Sequence, residues 1–233
     1  MYSGVLGTIV IGIFMARRTK ADAQATRSSL LDAAEQLFQA RGVSRTSLND
    51  IALAAGATRG AIYWHFKDKA DLFNAMMERV TLPLEAPMAQ ASLADGSNPL
   101  AQLHAALLAA LRLIASDEQT RRVLQIATHK VEFTDELGEV QTRRLRGHRE
   151  CVAYTRIVLE SAAQQQQQTL PIALETAALG LQVMVEGLVQ HWLLDTQAFD
   201  LVESGKAMLN TYLAGLGLHI TNGPTAAAII KIK

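Results

Sequence analysis

Between Thr46 and Lys69 the sequence gathers side chains suited to holding a polyanion and reading the edges of bases. Arg59 can hydrogen-bond a guanine edge or hold a phosphate, and Gly60 lets a partner come close to the backbone. Tyr63, His65 and Lys69 can hydrogen-bond or neutralise phosphates. Thr46 and Thr58 stand where helices can start, so backbone N–H groups there can also donate to a phosphate. This is the chemistry of recognition, and the rest of the chain supplies little for bond-making. Cys151 is the only cysteine, and the six histidines lack a ligand spacing such as His-x-x-x-His with acidic partners on one face. With no glycine-rich phosphate loop and no Ser/His/Asp arrangement, we expect no catalytic residue, no metal and no cofactor.

The elements that position these residues are helices. Leu30, Leu31, Ala34, Leu37 and Phe38 form one apolar stripe and predict a helix over 22–41, stopped by Gly42. Ser47 with Asp50 resembles a capping box at the start of a short helix carrying Leu48, Ile51, Ala52 and Ala55. Gly56 ends that helix, and Thr58 caps the next, which runs from Arg59 to Phe66. Two short helices joined by a glycine turn can form a helix-turn-helix, whose second helix can enter a major groove. Ile51, Ala55, Ile62 and Phe66 would make its apolar seam, with Ala52 small enough for a close crossing. Trp64 is read as core, or as a wall of the second helix, rather than as a stacking platform. From spacing alone, an ordinary helix pair in a helical protein fits equally well.

Asp68 opens a longer helix expected to end before Pro83 or bend there. Asp95 to Pro99 is a loop, followed by helices over about 100–115, from Asp117, and over about 133–163, the last ending in the glutamine run 164–168. That run is read as a solvated helix end or loop. Pro171 marks a helix start, and apolar residues then repeat at helical spacing from Leu174 to Trp192 and from Leu201 to Leu216. The expected fold is all-α, with about nine helices and no strands. Apolar residues make up 49% of the chain but aromatics only 5%, with alanine and leucine dominant, which favours packed helices over sheets.

Net charge is zero, yet it is unevenly placed. The segment from Met15 to Lys69 holds nine cations and five anions, a net +4, which leaves −4 for the remainder. A basic front on an acidic body suits a nucleic-acid-binding module joined to something else. One cysteine permits no intrachain disulfide and suits a reducing cytosol. The apolar run from Val5 to Phe14 is about half the ~20 residues of a membrane helix and lacks the marks of a secretory signal. Residues 1–14 are therefore read either as non-native sequence upstream of a natural start at Met15 or as a disordered or interfacial leader. No membrane partner is expected, and 219–233 reads as a flexible tail.

The run Thr46-Ser47-Leu48-Asn49-Asp50-Ile51-Ala52, continued by Ala55-Gly56-Ala57-Thr58-Arg59-Gly60-Ala61-Ile62-Tyr63-Trp64-His65-Phe66-Lys67-Asp68-Lys69, resembles the N-terminal domain of TetR-family repressors. The block Gly60 to Lys69, with the opening Met15-Ala16-Arg17-Arg18-Thr19-Lys20, looks most like the AcrR-type branch that controls multidrug efflux pumps. His129-Lys130-Val131-Glu132-Phe133 and Gly187 to Leu194 look like that branch too, with Val131 where similar repressors have cysteine.

The resemblance implies a cytoplasmic, all-helical homodimer with a three-helix, helix-turn-helix DNA-binding domain over 15–72. A ligand-binding and dimerisation domain would fill 73–218. Each head would read half of a palindromic double-stranded operator, and the last two long helices would pair between copies. Arg17, Arg18 and Lys20 form either a basic arm on the DNA or a solvated charge run.

The resemblance also implies that a small-molecule inducer enters a cavity among the body helices and releases DNA. Candidate lining residues are Met76, Val80, Leu103, Leu107, Leu111, Gln125, His129, Phe133, Met184, Glu186, Gln190 and Trp192, each of which also suits plain core. Glu78 and Glu85 lie near the turns where similar repressors carry an acid for cationic drugs, but not at matching positions. Open alternatives are an activator or metabolite sensor and, in another class, a helical ligand carrier or enzyme.

Overall fold

Two glycines at positive φ cut the first part of the chain into helices. Gly42 at φ 83° and Gly56 at φ 65° adopt the left-handed conformation that ends a helix, where a β-carbon would be strained. The structure, a computed structural model, describes residues 5–91, 98–132 and 135–220. Among these are nine α-helices and no strand: α1 (Val5–Arg41), α2 (Leu48–Ala54), α3 (Arg59–His65), α4 (Lys69–Ala91), α5 (Pro99–Ser116), α6 (Glu118–His129), α7 (Gly138–Gln165), α8 (Leu174–Leu194) and α9 (Leu201–Gly215). A 3-10 turn, Asp135–Leu137, precedes α7.

The chain forms two units. The first, here called the head, takes residues up to Met76 together with His129–Val140; the second takes Met77–Thr128 and everything after Gln141. The head thus borrows a segment from far along the sequence, although 129–140 was expected to belong with the rest of 73–218. In the head, Leu30, Leu31, Ala34 and Phe38 of the expected stripe on α1 are buried, and Leu37 is half-buried. Ile51, Ile62 and Phe66 close the seam between α2 and α3, and Ala52, 2% exposed, permits their close crossing. Ala55, expected in that seam, is only half-buried. The Phe38 and Phe73 rings meet at 6.2 Å in a tilted pair, which anchors α4 to α1.

The capping box is present. The Ser47 oxygen accepts from the Asp50 amide at 3.2 Å, while the Asp50 carboxylate accepts from the Ser47 amide at 2.9 Å and hydroxyl at 2.7 Å. These two hydrogen bonds, the hydroxyl's first, hold the Asp50 carboxyl below the usual carboxylate range. Such a group stabilises the fold above the ordinary carboxylate pKa and loses that contribution as pH falls through its lowered native value. Ser47→Ala is expected to cost about 1 kcal/mol at neutral pH. Its difference from the parent should shrink as the pH falls into the acid range, as followed by thermal denaturation.

In the second unit, leucines of α5, α8 and α9 build one core with Val158 and Leu159 of α7. Gly205 lets α9 come against α5: a β-carbon there would strike the Leu111 side chain and lie 3.3 Å from Leu188. Across α8 and α9, the Tyr212 hydroxyl donates to the Ala177 carbonyl at 2.9 Å and sits over Gly180. By length and composition α5 and α8 could each cross a bilayer, but both pack on α9 and contribute to this core.

Several boundaries differ from those expected. The backbone of 5–14 is helical and continuous with α1, which therefore begins well before residue 22. Helix α4 passes through Pro83, which is exposed; it lacks one amide donor, and the hydrogen bonds on either side carry the helix on. Asn98 caps α5 with its side chain, ahead of Pro99. Helix α8 starts at Leu174, three residues after Pro171, and has no side-chain cap. Helix α7 starts at Gly138 rather than near 133, because the 3-10 turn comes first. The glutamine run ends α7 as expected, and Gln166 is also tied: its side chain exchanges hydrogen bonds with the His219 backbone at 2.8 and 2.9 Å. The tail residues 221–233 lie outside the described residues.

Candidate nucleic-acid interface and ligand-binding region

Helix α3 is seven residues long and has two distinct faces. Ile62 is buried, and Phe66 closes the C-terminal end, so Arg59, Gly60, Tyr63 and Trp64 face outward. Thr58 caps the helix, its hydroxyl oxygen accepting from the Ala61 amide at 3.1 Å. The Arg59 guanidinium lies 5.7 Å from the Tyr63 ring centroid, a cation–π stack that restrains a long side chain before any partner arrives. A β-carbon on Gly60 would meet only the Thr58 hydroxyl oxygen at 3.9 Å, so nothing in the head's own packing requires glycine there. The open side of Gly60 is free for close approach by another molecule.

His65 is half-buried at the end of α3, and the Arg27 guanidinium stacks 5.2 Å over the neighbouring Phe66 ring. Burial first, and then the Arg27 charge, hold the His65 imidazole below its ordinary range. It is therefore neutral at physiological pH and offers one donor and one acceptor rather than a charge. Trp64 is 73% exposed and edge-on to His65 at 4.5 Å, so it is not core. Neither Arg27 nor the exposure of Trp64 stood out in the sequence, although period-3.6 bookkeeping from Ile62 and Phe66 places Trp64 outside.

Five of the ten expected nucleic-acid residues, Thr58, Arg59, Gly60, Tyr63 and His65, thus come together on one short helix and its cap. Lys20 is exposed on α1; Arg17 and Arg18 lie on the same helix, with side chains outside the described residues. The side chains of Thr46 and Lys69 are both buried. Thr46 is 1% exposed, and its hydroxyl donates to the Gly42 carbonyl at 2.9 Å. Lys69 is 5% exposed; its ammonium donates to the Thr46 carbonyl at 3.1 Å and pairs with Glu136 at 2.9 Å. An ammonium turned inward onto carbonyls is not available to a phosphate in this conformation.

The expected ligand-lining residues divide between the units. Met76, fully buried, and His129, exposed at the end of α6, fall in the head; Phe133 lies outside the described residues. The second unit holds Val80, Leu103, Leu107, Leu111, Gln125, Met184, Glu186, Gln190 and Trp192. Leu103, Leu111 and Trp192 are buried in its core, and Leu107 and Met184 pack on that core. Two of the polar members are engaged: Gln125 donates to the Leu193 carbonyl at 3.3 Å, and Glu186 accepts from Gln182 at 2.7 Å and faces His148 at 3.2 Å. Glu78, a half-buried carboxylate, pairs with Arg143 at 2.5 Å. Among the described residues no cluster of three His, Cys, Asp or Glu could hold a metal.

Comparison with known proteins bears on the whole arrangement. Residues 30–76 match the bacterial regulatory proteins of the tetR family, and residues 98–217 match the C-terminal region of MAATS-type transcriptional repressors. The chain belongs to the TetR family. Among TetR-family relatives, the transcriptional repressor BepR of Brucella suis is 38% identical over 200 residues, which span 86% of this chain and 96% of that protein. The crystal structure of NalD, secondary repressor of the MexAB-OprM multidrug efflux pump of Pseudomonas aeruginosa, superposes with a TM-score of 0.76 at 36% identity. It covers 84% of this chain and 98% of NalD. SmeT, repressor of the Stenotrophomonas maltophilia efflux pump SmeDEF, has been solved with triclosan; that structure gives a TM-score of 0.71 at 30% identity, covering 82% of this chain and 90% of SmeT. The expected all-α fold, the TetR resemblance and the nearness to efflux-pump repressors agree with these matches.

Proposed function

We infer that this chain is a dimeric, cytoplasmic repressor of a multidrug efflux operon that leaves its operator when a small apolar or aromatic compound binds. The observation that carries the reading is the outward face of α3, where Arg59, Gly60 and Tyr63 stand clear of the head's own packing. Arg59 reads a base edge, Gly60 admits close approach, and Tyr63, Thr58 and neutral His65 bond the phosphate backbone. The role is regulation rather than catalysis.

Two copies pair through α8 and α9. Leu179, Val183 and Leu194 are 46%, 54% and 68% exposed along one line of α8, and a β-carbon on Gly187 in that line would meet nothing. An apolar stripe of this kind on a soluble helix is covered by a second copy in the assembled protein. The inducer sits among Leu103, Leu107, Leu111, Met184 and Trp192, with Gln125, Glu186 and Gln190 as polar handles. The triclosan carried by SmeT is a ligand of the apolar, aromatic class such a lining accepts.

The decisive experiment is an anisotropy titration of the purified protein against the intergenic DNA upstream of its own gene, beside random duplex of equal length at fixed salt. A preference of about 10³-fold or more is expected, and triclosan added to the complex should lower it. Equal, weak and salt-sensitive binding to both duplexes would overturn the reading and favour a ligand carrier.

A further inference from the structure

Lys69 is a charged side chain placed where a charge is costly unless every donor finds a partner. At the first position of α4, its ammonium reaches back to the loop before α2, with the Thr46 carbonyl at 3.1 Å and the Ser44 carbonyl at 3.5 Å. Its third partner is the Glu136 carboxylate at 2.9 Å, from the 3-10 turn ahead of α7. Three acceptors thus face the three donors of an ammonium. The segment carrying Glu136 is held to the same loop by a backbone bond, the Val43 amide donating to the Lys130 carbonyl at 3.1 Å. Leu137 and Val140, 1% and 6% exposed, are buried as parts of the head. An exposed pair, Lys67 with Glu139 at 3.7 Å, adds little.

We propose that Lys69 and Glu136 are positioning residues for operator recognition, through which segment 129–140 clamps the loop that launches α2, and that neither touches DNA. The proposal rests on the reading of α3 as the operator-reading helix. Loop 43–47 fixes where the Ser47 cap begins α2, and α2 packs against α3. A loop free to shift would move the whole reading face. The clamp residue Glu136 lies in the stretch between α6 and α7.

The sign of one substitution separates this role from simple electrostatics. Removing an anion from a DNA-binding head should, by charge alone, tighten binding to any duplex. If Glu136 positions the loop, Glu136→Gln weakens operator binding by about fivefold, the scale of a half-exposed charge-assisted bond, and leaves random duplex no weaker. Lys69→Met should likewise weaken operator binding while keeping the slope of log K against log salt. A phosphate contact would instead lower that slope by about one. In the free protein, hydrogen exchange at the Val43, Thr46 and Ser47 amides should quicken in Glu136→Gln.

Operator binding by Glu136→Gln as tight as the parent's, a reduced slope for Lys69→Met, or unchanged exchange would each overturn the proposal. Should the parent itself show no operator preference, the functional reading fails, and the exchange measurement alone decides the clamp.

Discussion

Arg59→Ala is expected to weaken operator binding by about ten- to hundredfold while leaving the protein as stable as before, or slightly more so. The binding loss is the roughly 1–3 kcal/mol that one good bidentate base contact contributes. The stability expectation has a separate origin. Arg59 is the first residue of α3, and that first turn has no acidic side chain. A cation there opposes the helix dipole and costs a few tenths of a kcal/mol, where alanine also has the higher helix propensity. A residue that breaks a local rule and is held over Tyr63 without burial is placed for something outside the head. Arg59→Lys should not restore binding, because an ammonium cannot make the planar two-point contact. Titrations against operators altered one base pair at a time check the origin of the loss. Relaxed preference at one position marks a base contact, and a uniform loss with a shallower salt slope marks a phosphate. A fall in melting temperature matching the loss of binding would refute the assignment.

The second large effect concerns the body. Gly205→Val should destabilise the fold by about 3 kcal/mol, at the upper end of the usual range for overpacking. The new β-carbon falls on Leu111, itself 1% exposed, and lies close to Leu188, so a buried leucine must shift to admit it. Helix α9 must then move from α5 or force a leucine out of its rotamer. Urea unfolding at fixed protein concentration measures the cost, since pairing of copies makes apparent stability depend on concentration. Leu111→Ala alone should cost about 2–5 kcal/mol through the cavity it leaves. Combined with Gly205→Val the losses should fall short of additive, because the valine methyls enter that cavity. Additive losses, or a Gly205→Val cost under about 0.5 kcal/mol, would mean that the crossing is looser than the geometry states.

What the sequence disclosed follows the range of the forces involved. The Ser47–Asp50 box, the stops at Gly42 and Gly56 and the outward placing of Arg59, Gly60 and Tyr63, though not of Trp64, depend on neighbours within a turn or two, so spacing was enough to find them. The inward turn of Lys69 is not legible in the sequence, because a lysine that grips two carbonyls looks there like a lysine in solvent. Its carboxylate partner lies beyond α6, and only the tertiary fold brings the two together. Pro171 and Pro83 misled in opposite directions: one precedes its helix by three residues, and the other stands inside one. In both cases the local preference of proline did not by itself set the helix boundary. For the ligand region, the residue types could name an apolar interior but not divide Met76 and His129 from the others, since that division lies in the path of the chain.

The path of the chain also sets an order on the making of this protein. When a ribosome has delivered the first 76 residues, α1 to α3 are complete, yet Leu137, Val140 and the Lys130 carbonyl are still unmade. Until residue 140 emerges, Lys69 has no carboxylate and Val43 no backbone partner, and by then α5 and α6 have already been synthesised. A nascent or prematurely ended chain therefore presents an unfinished head, so a nonsense mutation after α4 yields loss of repression rather than a repressor that has lost only its sensor.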